Sequence, residues 1–392
     1  MSKLEKMSEI VLNGITWGHS RGITPLLAAS QRFSELYPQV EINWKKRTLQ
    51  EFADYPIEKL TGQYDLLIID HPWTGCAAAT KCVLPLDDYL SKEYLADQFI
   101  NSVGHSHLSY NYDGHQWALA IDAAAPVASY RPDLFQRNDI AVPGTWHEII
   151  SLAKKGKLAV PSIPVDLLMH FYMFCGAHGN DPFLNDEEVI DQETGLKALS
   201  SMKELWSLVN KKMFQYNPIA IAELMTSTDD FWYCPFAYGY SNYSRRGYAR
   251  HLLKYTSLAG FESGHHLRST LGGTGLSVSS FTKNVDWAIQ FAEWAVSSEI
   301  QSGLYVQNGG QPGHRSAWSS EEVNRYCNDY FSDTLSTLDQ AFVRPRYNGY
   351  LLFQDGAGIP LQKYLLQGGR SKKVLEEMNK LYQNSKIRTR TI

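Results

Sequence analysis

Two short segments near the start of the chain combine side chains that could bind a charged or polar small molecule. In the first segment, Trp17, His19 and Arg21 follow a predicted strand and precede a predicted helix. A guanidinium beside the amide groups of a helix N-terminus could hold an anion such as a carboxylate or a phosphate. Alternatively, Arg21 forms an ion pair with a nearby Asp or Glu on the protein surface. The sequence leaves both interpretations open.

The second segment follows a continuous apolar run and therefore stands at the end of a predicted buried strand. It contains Asp70, His71 and Trp73. Asp70 could accept hydrogen bonds from hydroxyl groups, His71 could titrate near neutral pH, and Trp73 could stack on a ring. The structural alternative is that His71 caps the following helix and that Trp73 packs beneath it.

Other candidate ligand contacts are distributed along the rest of the chain. Asp122 follows a strand, so we expect its carboxylate to contact the ligand or, alternatively, to cap the next segment. Later positions carry the imidazole, phenol and hydroxyl groups that polar-ligand sites use: His170, Tyr238, Tyr240 and Ser241. Gly272 and Gly273 would let the backbone approach a ligand or turn sharply.

The sequence predicts neither a metal centre nor an organic cofactor. The spacings HxxxH, HExxH and CxxC are absent, and the glycines do not form the GxGxxG pattern of dinucleotide-binding proteins. The five cysteines have no paired spacing, and an odd number cannot all form disulfides within one chain.

The elements that must position these groups alternate between strand and helix. Residues 10–17 and 40–44 have the pattern of strands, residues 25–37 that of a helix, and residues 64–70 that of a strand covered on both faces. We therefore expect an α/β fold. Sheets of this class bind ligands outside the carboxyl ends of their strands, which is where both candidate segments lie.

Length and charge restrict the possible partners. The chain has 392 residues, which is enough for two or three domains, and its net charge is −4. This charge does not supply the basic surface that binding to nucleic acid requires. Because no apolar stretch approaches the roughly 20 residues of a membrane-spanning helix, we also expect no membrane insertion.

The first ten residues determine the expected location. Lys3, Glu5, Lys6 and Glu9 interrupt the apolar stretch that a secretory signal needs. As the sequence is written, we expect a cytoplasmic protein without a signal peptide. A periplasmic or extracellular location is expected if the true start lies upstream or was removed.

Several phrases occur in an order that resembles a known family. They are Phe-Ser-Glu-Leu-Tyr-Pro (33–38), Leu-Pro-Leu-Asp-Asp-Tyr (84–89), Tyr-Asp-Gly-His-Gln-Trp-Ala-Leu (112–119), Val-Pro-Gly-Thr-Trp-His-Glu (142–148) and a glycine-rich segment (271–278). With them, the chain is similar to the family 1 extracellular solute-binding proteins of ABC transporters, the sugar-type periplasmic binding proteins. The resemblance implies a two-lobed class II periplasmic-binding-protein fold with a hinge of about three crossings and a ligand cleft between the lobes.

The resemblance also implies where the lobes begin and end. Residues 1–122 and 265–312 are expected to form the first lobe, and residues 123–264 and 313–392 the second. We expect a monomer. Its partners would be a small-molecule ligand and, if the protein is exported, the permease subunits of an ABC transporter.

Two functions are compatible with these features. The first is capture of a small polar solute, which could be a sugar, a sugar acid or another small carboxylate. An acidic ligand is favoured because the guanidinium of Arg21 would need a compensating charge when water is excluded. The alternative is a cytoplasmic enzyme or sensor on the same fold, using Asp70, His71 and Asp122 for acid–base chemistry on an acidic substrate.

Overall fold

The computed structural model describes residues 10–262 and 265–388. Within this range the chain divides into two compact units. Among the described residues, unit 1 comprises 10–123 and 272–323, and unit 2 comprises 124–262, 265–271 and 324–388. The residues that led us to expect no signal peptide lie outside the described range.

Unit 1 continues beyond residue 312 as far as Val323, and the lobe boundaries that the resemblance implies stay a prediction. Backbone hydrogen bonds hold this continuation in place. Pro312 forms a bridge with Asp122, and the amide of Arg315 donates to the carbonyl of Asn101 at 2.7 Å. These bonds hold the segment that follows residue 312 in unit 1.

The strands, in chain order, are β1 (Ile10–Trp17), β2 (Val40–Arg47), β3 (Leu66–Ile69), β4 (Asn111–Tyr112), β5 (His115–Gln116), β6 (Leu119–Ala124), β7 (Pro126–Tyr130), β8 (Tyr233–Tyr238), β9 (Lys254–Thr256), β10 (Gly260–Glu262), β11 (His265–His266) and β12 (Gly272–Val278).

The α-helices are α1 (Ser20–Leu36), α2 (Leu49–Asp54), α3 (Thr74–Thr80), α4 (Lys92–Ile100), α5 (Ser106–Ser109), α6 (Pro132–Arg137), α7 (Trp146–Lys154), α8 (Pro164–Ala177), α9 (Gln192–Trp206), α10 (Pro218–Ser227), α11 (Val285–Ala295), α12 (Ser298–Ile300), α13 (Arg315–Trp318), α14 (Glu321–Tyr326), α15 (Tyr330–Asp339), α16 (Tyr350–Gln367) and α17 (Ser371–Arg388).

Unit 1 is built on a five-stranded sheet with the order β2-β1-β3-β12-β6. Strand β1 is parallel to both β2 and β3, whereas β12 is antiparallel to β3 with Gly275 opposite Ile69. All four residues of β3 are buried, as expected for a strand covered on both faces. The carboxyl ends of β1 and β3 therefore lie at the same edge of the sheet as the amino end of β12. We call this the carboxyl edge.

Helix α1 packs its apolar face onto the core of unit 1. Phe33 is fully buried, and its ring centroid lies 5.3 Å from that of Phe291 and 5.4 Å from that of Trp294 on α11. Complete burial of one such ring stabilises a fold by about 1.5–3 kcal/mol. This packing fixes α1 against the sheet and so fixes the position of its first turn at the carboxyl edge.

Unit 2 combines a three-stranded antiparallel sheet, in the order β8-β7-β9, with a group of packed helices. Helix α8 is buried along nearly its whole length. It lies so close to α16 that a Cβ atom on Gly358 would be 1.9 Å from the carbonyl oxygen of Pro164, so only glycine permits this crossing.

Within the described residues, no helix combines the length and the apolar character that crossing a membrane would require.

Candidate functional site

The segment between β1 and α1 is held by contacts among its own side chains. The Nδ1 atom of His19 accepts a hydrogen bond from the backbone N–H of Arg21 at 3.0 Å, so His19 is the N-cap of α1. Its ring is stacked on the indole of Trp17, with centroids 5.7 Å apart. Burial and the neighbouring charge of Arg21 lower the pKa of His19 to about 4. The imidazole is therefore neutral near pH 7, as an accepting N-cap must be.

Arg21 points to a carboxylate of the protein. Its Nε atom donates to Oδ2 of Asp122 at 2.9 Å, and its Nη2 atom donates to Oδ1 of the same carboxylate. Arg21 is 3% exposed and Asp122 2% exposed. A bidentate pair of this kind satisfies the geometry of both groups. Arg21 is therefore compensated within the chain, by a buried and distant carboxylate and not by a nearby surface acid, and the argument for an acidic ligand loses its main support.

Asp122 was expected to follow a strand but lies within β6, where further partners hold it. The backbone N–H of Gln311 donates a hydrogen bond to its carboxylate. Gly273 has a φ of +93°, and a Cβ atom there would lie 2.3 Å from the carbonyl oxygen of Asp122. Burial raises the pKa of Asp122 above its usual value, and the charge of Arg21 limits that rise.

The segment after β3 forms a short 3-10 turn, His71–Trp73, which Asp70 caps by accepting a hydrogen bond from the amide of His71 at 2.9 Å. His71 is fully buried, and its ring meets that of Tyr110 edge-on at 6.3 Å. Trp73 is 7% exposed. Its indole Nε1 is buried and has no acceptor among the described residues. The turn therefore presents a carboxylate acceptor and an unsatisfied N–H donor close together in the sequence.

The sheet brings most of the predicted residues of unit 1 together. At its carboxyl edge lie Trp17, His19, Arg21, Asp70, His71, Trp73, Asp122, Gly272 and Gly273. Of these, His19, Asp70, Gly272 and Gly273 retain partial exposure, whereas the others are buried.

In unit 2, the predicted Tyr238 to Ser241 group lies at the carboxyl end of β8. Tyr238 is half-buried and stands opposite Pro126, whereas Tyr240 and Ser241 are buried. Gly239 is required between them because a Cβ atom there would lie 2.3 Å from the hydroxyl of Tyr330. Tyr238 is thus the member of this group with the most accessible side chain.

His170 lies in the interior of unit 2. Its ring centroid is 4.6 Å from that of Phe236 and 5.6 Å from that of Trp206. Burial lowers its pKa to about 3, and its Nδ1 atom has no partner among the described residues. One turn earlier on the same helix, burial raises the pKa of Asp166 to about 8. Both side chains are therefore uncharged near pH 7.

One group of described residues has the side-chain types of a metal site. Ligand atoms of Asp87, Asp88 and His115 all lie within 4.8 Å of one another. However, Asp87 already accepts a hydrogen bond from the amide of Gln116 at 2.8 Å and has the Nδ1 atom of His115 at 2.9 Å. Hydrogen bonds within the chain account for this arrangement.

Sequence reasoning missed two residues that support the site. The backbone N–H of Gln311 donates a hydrogen bond to the carboxylate of Asp122. The ring of Tyr305 packs against Gly310, where a Cβ atom would lie 2.2 Å from a ring carbon of Tyr305. The paired glycines Gly309 and Gly310 were the available signal in the sequence.

The chain resembles a family of known role and several solved structures. A profile of the family described as bacterial extracellular solute-binding protein matches residues 20–302. The fold is similar to that of maltose-bound MalE3 from T. maritima, with a TM-score of 0.82, 17% identity, and coverage of 96% of this chain and 99% of that chain.

Two ABC transporter solute-binding proteins with bound polyols are also similar. The ribitol complex from Agrobacterium radiobacter K84 has a TM-score of 0.82 and 18% identity. The alignment covers 97% of this chain and 100% of that chain. The D-mannitol complex from Agrobacterium vitis S4 has a TM-score of 0.78 and 15% identity, with coverages of 97% and 99%. At such identities the likeness establishes the fold. The predicted α/β, two-lobed periplasmic-binding-protein fold is confirmed.

Proposed function

The chain belongs to the bacterial extracellular solute-binding protein family, and we propose that it binds a small uncharged polyhydroxylated molecule, a sugar or a polyol. The observation that carries this proposal is the state of the charges at the carboxyl edge. The Nε and Nη2 atoms of Arg21 both donate to the carboxylate of Asp122. The pair is therefore close to neutral and offers little attraction to an acidic ligand.

Two other polar groups at the carboxyl edge, the indole N–H of Trp73 and the carboxylate of Asp70, can form hydrogen bonds with the hydroxyl groups of a ligand. The buried Nε1–H of Trp73 has no acceptor among the described residues, and an unsatisfied buried donor costs about 1–3 kcal/mol. A sugar oxygen can accept this hydrogen bond, and a sugar hydroxyl can donate to the carboxylate of Asp70. A ring of Trp or Tyr beside such groups also stacks on the apolar face of a sugar.

Known complexes on this fold support the same ligand class. The similar structures contain maltose, ribitol and D-mannitol, which are all uncharged and rich in hydroxyl groups. We further propose that Tyr238 of unit 2 contributes to binding and that the protein delivers its solute to the permease of an ABC transporter. The cytoplasmic location and the monomeric state stay predictions.

The acid–base alternative has less support. Of its three residues, His71 is fully buried, and Asp122 is paired with Arg21. Neither group is placed to exchange a proton with a substrate.

Thermal-shift measurements with maltose, ribitol and D-mannitol, each beside a sugar acid of matching length, test the proposal. We expect stabilisation by at least one uncharged compound. In the Trp73→Phe variant, which keeps a ring but lacks the N–H, binding of that compound should weaken about 2- to 10-fold, as for one hydrogen bond.

The exposed Phe281 provides a control, and Phe281→Ala should bind like the parent protein. Stabilisation by sugar acids alone, or undiminished binding by Trp73→Phe, would contradict the proposal.

A further inference from the structure

Two buried cysteines of unit 1 lie in contact although their spacing matches no familiar motif. Cys76 lies on α3, and Lys81 ends that helix in the left-handed conformation with φ 52° and ψ 31°. This reversal returns Cys82 to the helix, so the two thiols are in hydrogen-bond contact. Both cysteines are free, with exposures of 8% for Cys76 and 3% for Cys82.

The pair lies just below the protein surface. Thr80 and Lys81, which directly precede Cys82 in the sequence, are exposed. Glu58 is exposed as well. The thiol of Cys76 donates to Oε2 of Glu58 at 3.4 Å. Glu58 therefore accepts a hydrogen bond from the Cys76 thiol, and its charge raises the pKa of that thiol.

The surroundings distinguish the two thiols. Hydrogen bonding with Cys82, burial and the charge of Glu58 raise the pKa of Cys76. By contrast, hydrogen bonding with Cys76 lowers the pKa of Cys82, and burial opposes this shift. Since the thiolate is the reactive form of cysteine, Cys82 is the better nucleophile of the two.

We propose that Cys76 and Cys82 form a redox-active dithiol, which becomes an intrachain disulfide by exchange with a small disulfide such as oxidised glutathione. In the first step the Cys82 thiolate attacks one glutathione sulfur, the glutathione S–S bond breaks, and one glutathione thiolate leaves. Cys82 then carries a mixed disulfide.

In the second step the glutathione thiolate released in the first step takes the proton of Cys76, and the resulting thiolate attacks the sulfur of Cys82. The mixed disulfide breaks, and the second glutathione thiolate leaves. The protons lost by the two cysteines are taken up by the two glutathione thiolates. The dithiol is thereby oxidised and one glutathione disulfide is reduced.

The other cysteines differ from this pair. Cys175, Cys234 and Cys327 are completely buried, and burial raises the pKa of each thiol. They should react slowly. Disulfides persist in oxidising compartments, and an extracellular family is exposed to such conditions.

Peptide mapping of the whole protein tests the proposal directly. After incubation with oxidised or reduced glutathione, the protein is denatured, alkylated and digested with trypsin without reduction. Trypsin cleaves after Lys81, between the two cysteines, so their peptides stay joined only when the disulfide is present. We expect the joined peptides after oxidation, with Cys175, Cys234 and Cys327 still alkylated.

Variants distinguish the two steps. Cys76→Ser should trap glutathione on Cys82, whereas Cys82→Ser should carry several-fold less glutathione on Cys76. Cys234→Ala is the control and should form the joined peptides like the parent. Separate, fully alkylated peptides in the oxidised parent protein, or a link to another cysteine, would overturn the proposal even if a variant failed to fold.

Discussion

Arg21 and Asp122 are 101 residues apart in the sequence and form a buried, bidentate ion pair at the carboxyl edge of the unit 1 sheet. The pair joins the first turn of α1 to the middle of β6. It fixes the shape of this edge and cancels the charge that would otherwise select an acidic solute. The proposed ligand class follows from this single contact.

Removing one partner of this pair should destabilise the protein strongly. Arg21→Met leaves the carboxylate of Asp122 buried without its cation, and such losses cost about 3–5 kcal/mol. Urea unfolding of the purified variant measures the change. Arg32→Met is a matched control because it breaks an exposed pair with Glu35, for which we expect at most about 1 kcal/mol. Equal effects of the two substitutions would refute the structural role of the buried pair.

Gly273 should not tolerate a side chain. Gly273→Ala places a Cβ atom against the carbonyl of Asp122 and also strains a positive φ. Gly247 has a similar φ of +82° but nothing within 4 Å, so Gly247→Ala isolates the backbone strain, about 1 kcal/mol. We expect the loss in unfolding free energy to be at least about 1 kcal/mol larger at Gly273. Thermal unfolding of both variants decides this, and indistinguishable midpoints would count against the close approach.

Asp166 should make stability depend on pH. Its folded pKa, about 8, lies above the ordinary value of 3.8, so the folded state holds more protons than the unfolded state between these values. The contribution of Asp166 to the free energy of unfolding is fully present below pH 3.8, and it is lost as the pH rises through 8. Between these two pH values the free energy of unfolding falls by at most about 1.4 kcal/mol per pH unit.

The buried His170 acts in the opposite direction, because its pKa is lowered from 6.5 to about 3. Its contribution is complete above pH 6.5 and is lost as pH falls towards 3. Between pH 6.5 and 8 the effect of Asp166 is therefore the clearer one, and we expect a fall of about 1–2 kcal/mol. In Asp166→Asn this fall should disappear. A variant whose urea midpoint still falls as in the parent would show that another group is responsible.

The sheet could be predicted from the sequence because its signals are local. The apolar run before Asp70 and the alternation before Trp17 predict strands, and the general geometry of α/β sheets then places both following loops at one edge. The helix predicted over residues 25–37 begins earlier, at Ser20, because the side chain of His19 caps it.

Contacts between distant segments could not be predicted. Nothing near Arg21 indicates that its partner is Asp122, and pairing with solvent, ligand or protein leaves the same local pattern. The sequence did not show whether His170 faces a ligand or the core. Since α8 is apolar on nearly every side, its periodicity does not indicate which face is buried. The contact of Cys76 with Cys82 depends on the left-handed conformation of Lys81, a residue type that rarely adopts it.

Calorimetric titration of the parent protein with an uncharged sugar or polyol and with the sugar acid of the same carbon skeleton tests the central claim most directly. Because Asp122 already neutralises Arg21, we predict that the uncharged compound binds at least tenfold more tightly. Tenfold tighter binding of the acid, lost in Arg21→Met, would contradict the account and show that Arg21 serves the ligand instead of Asp122.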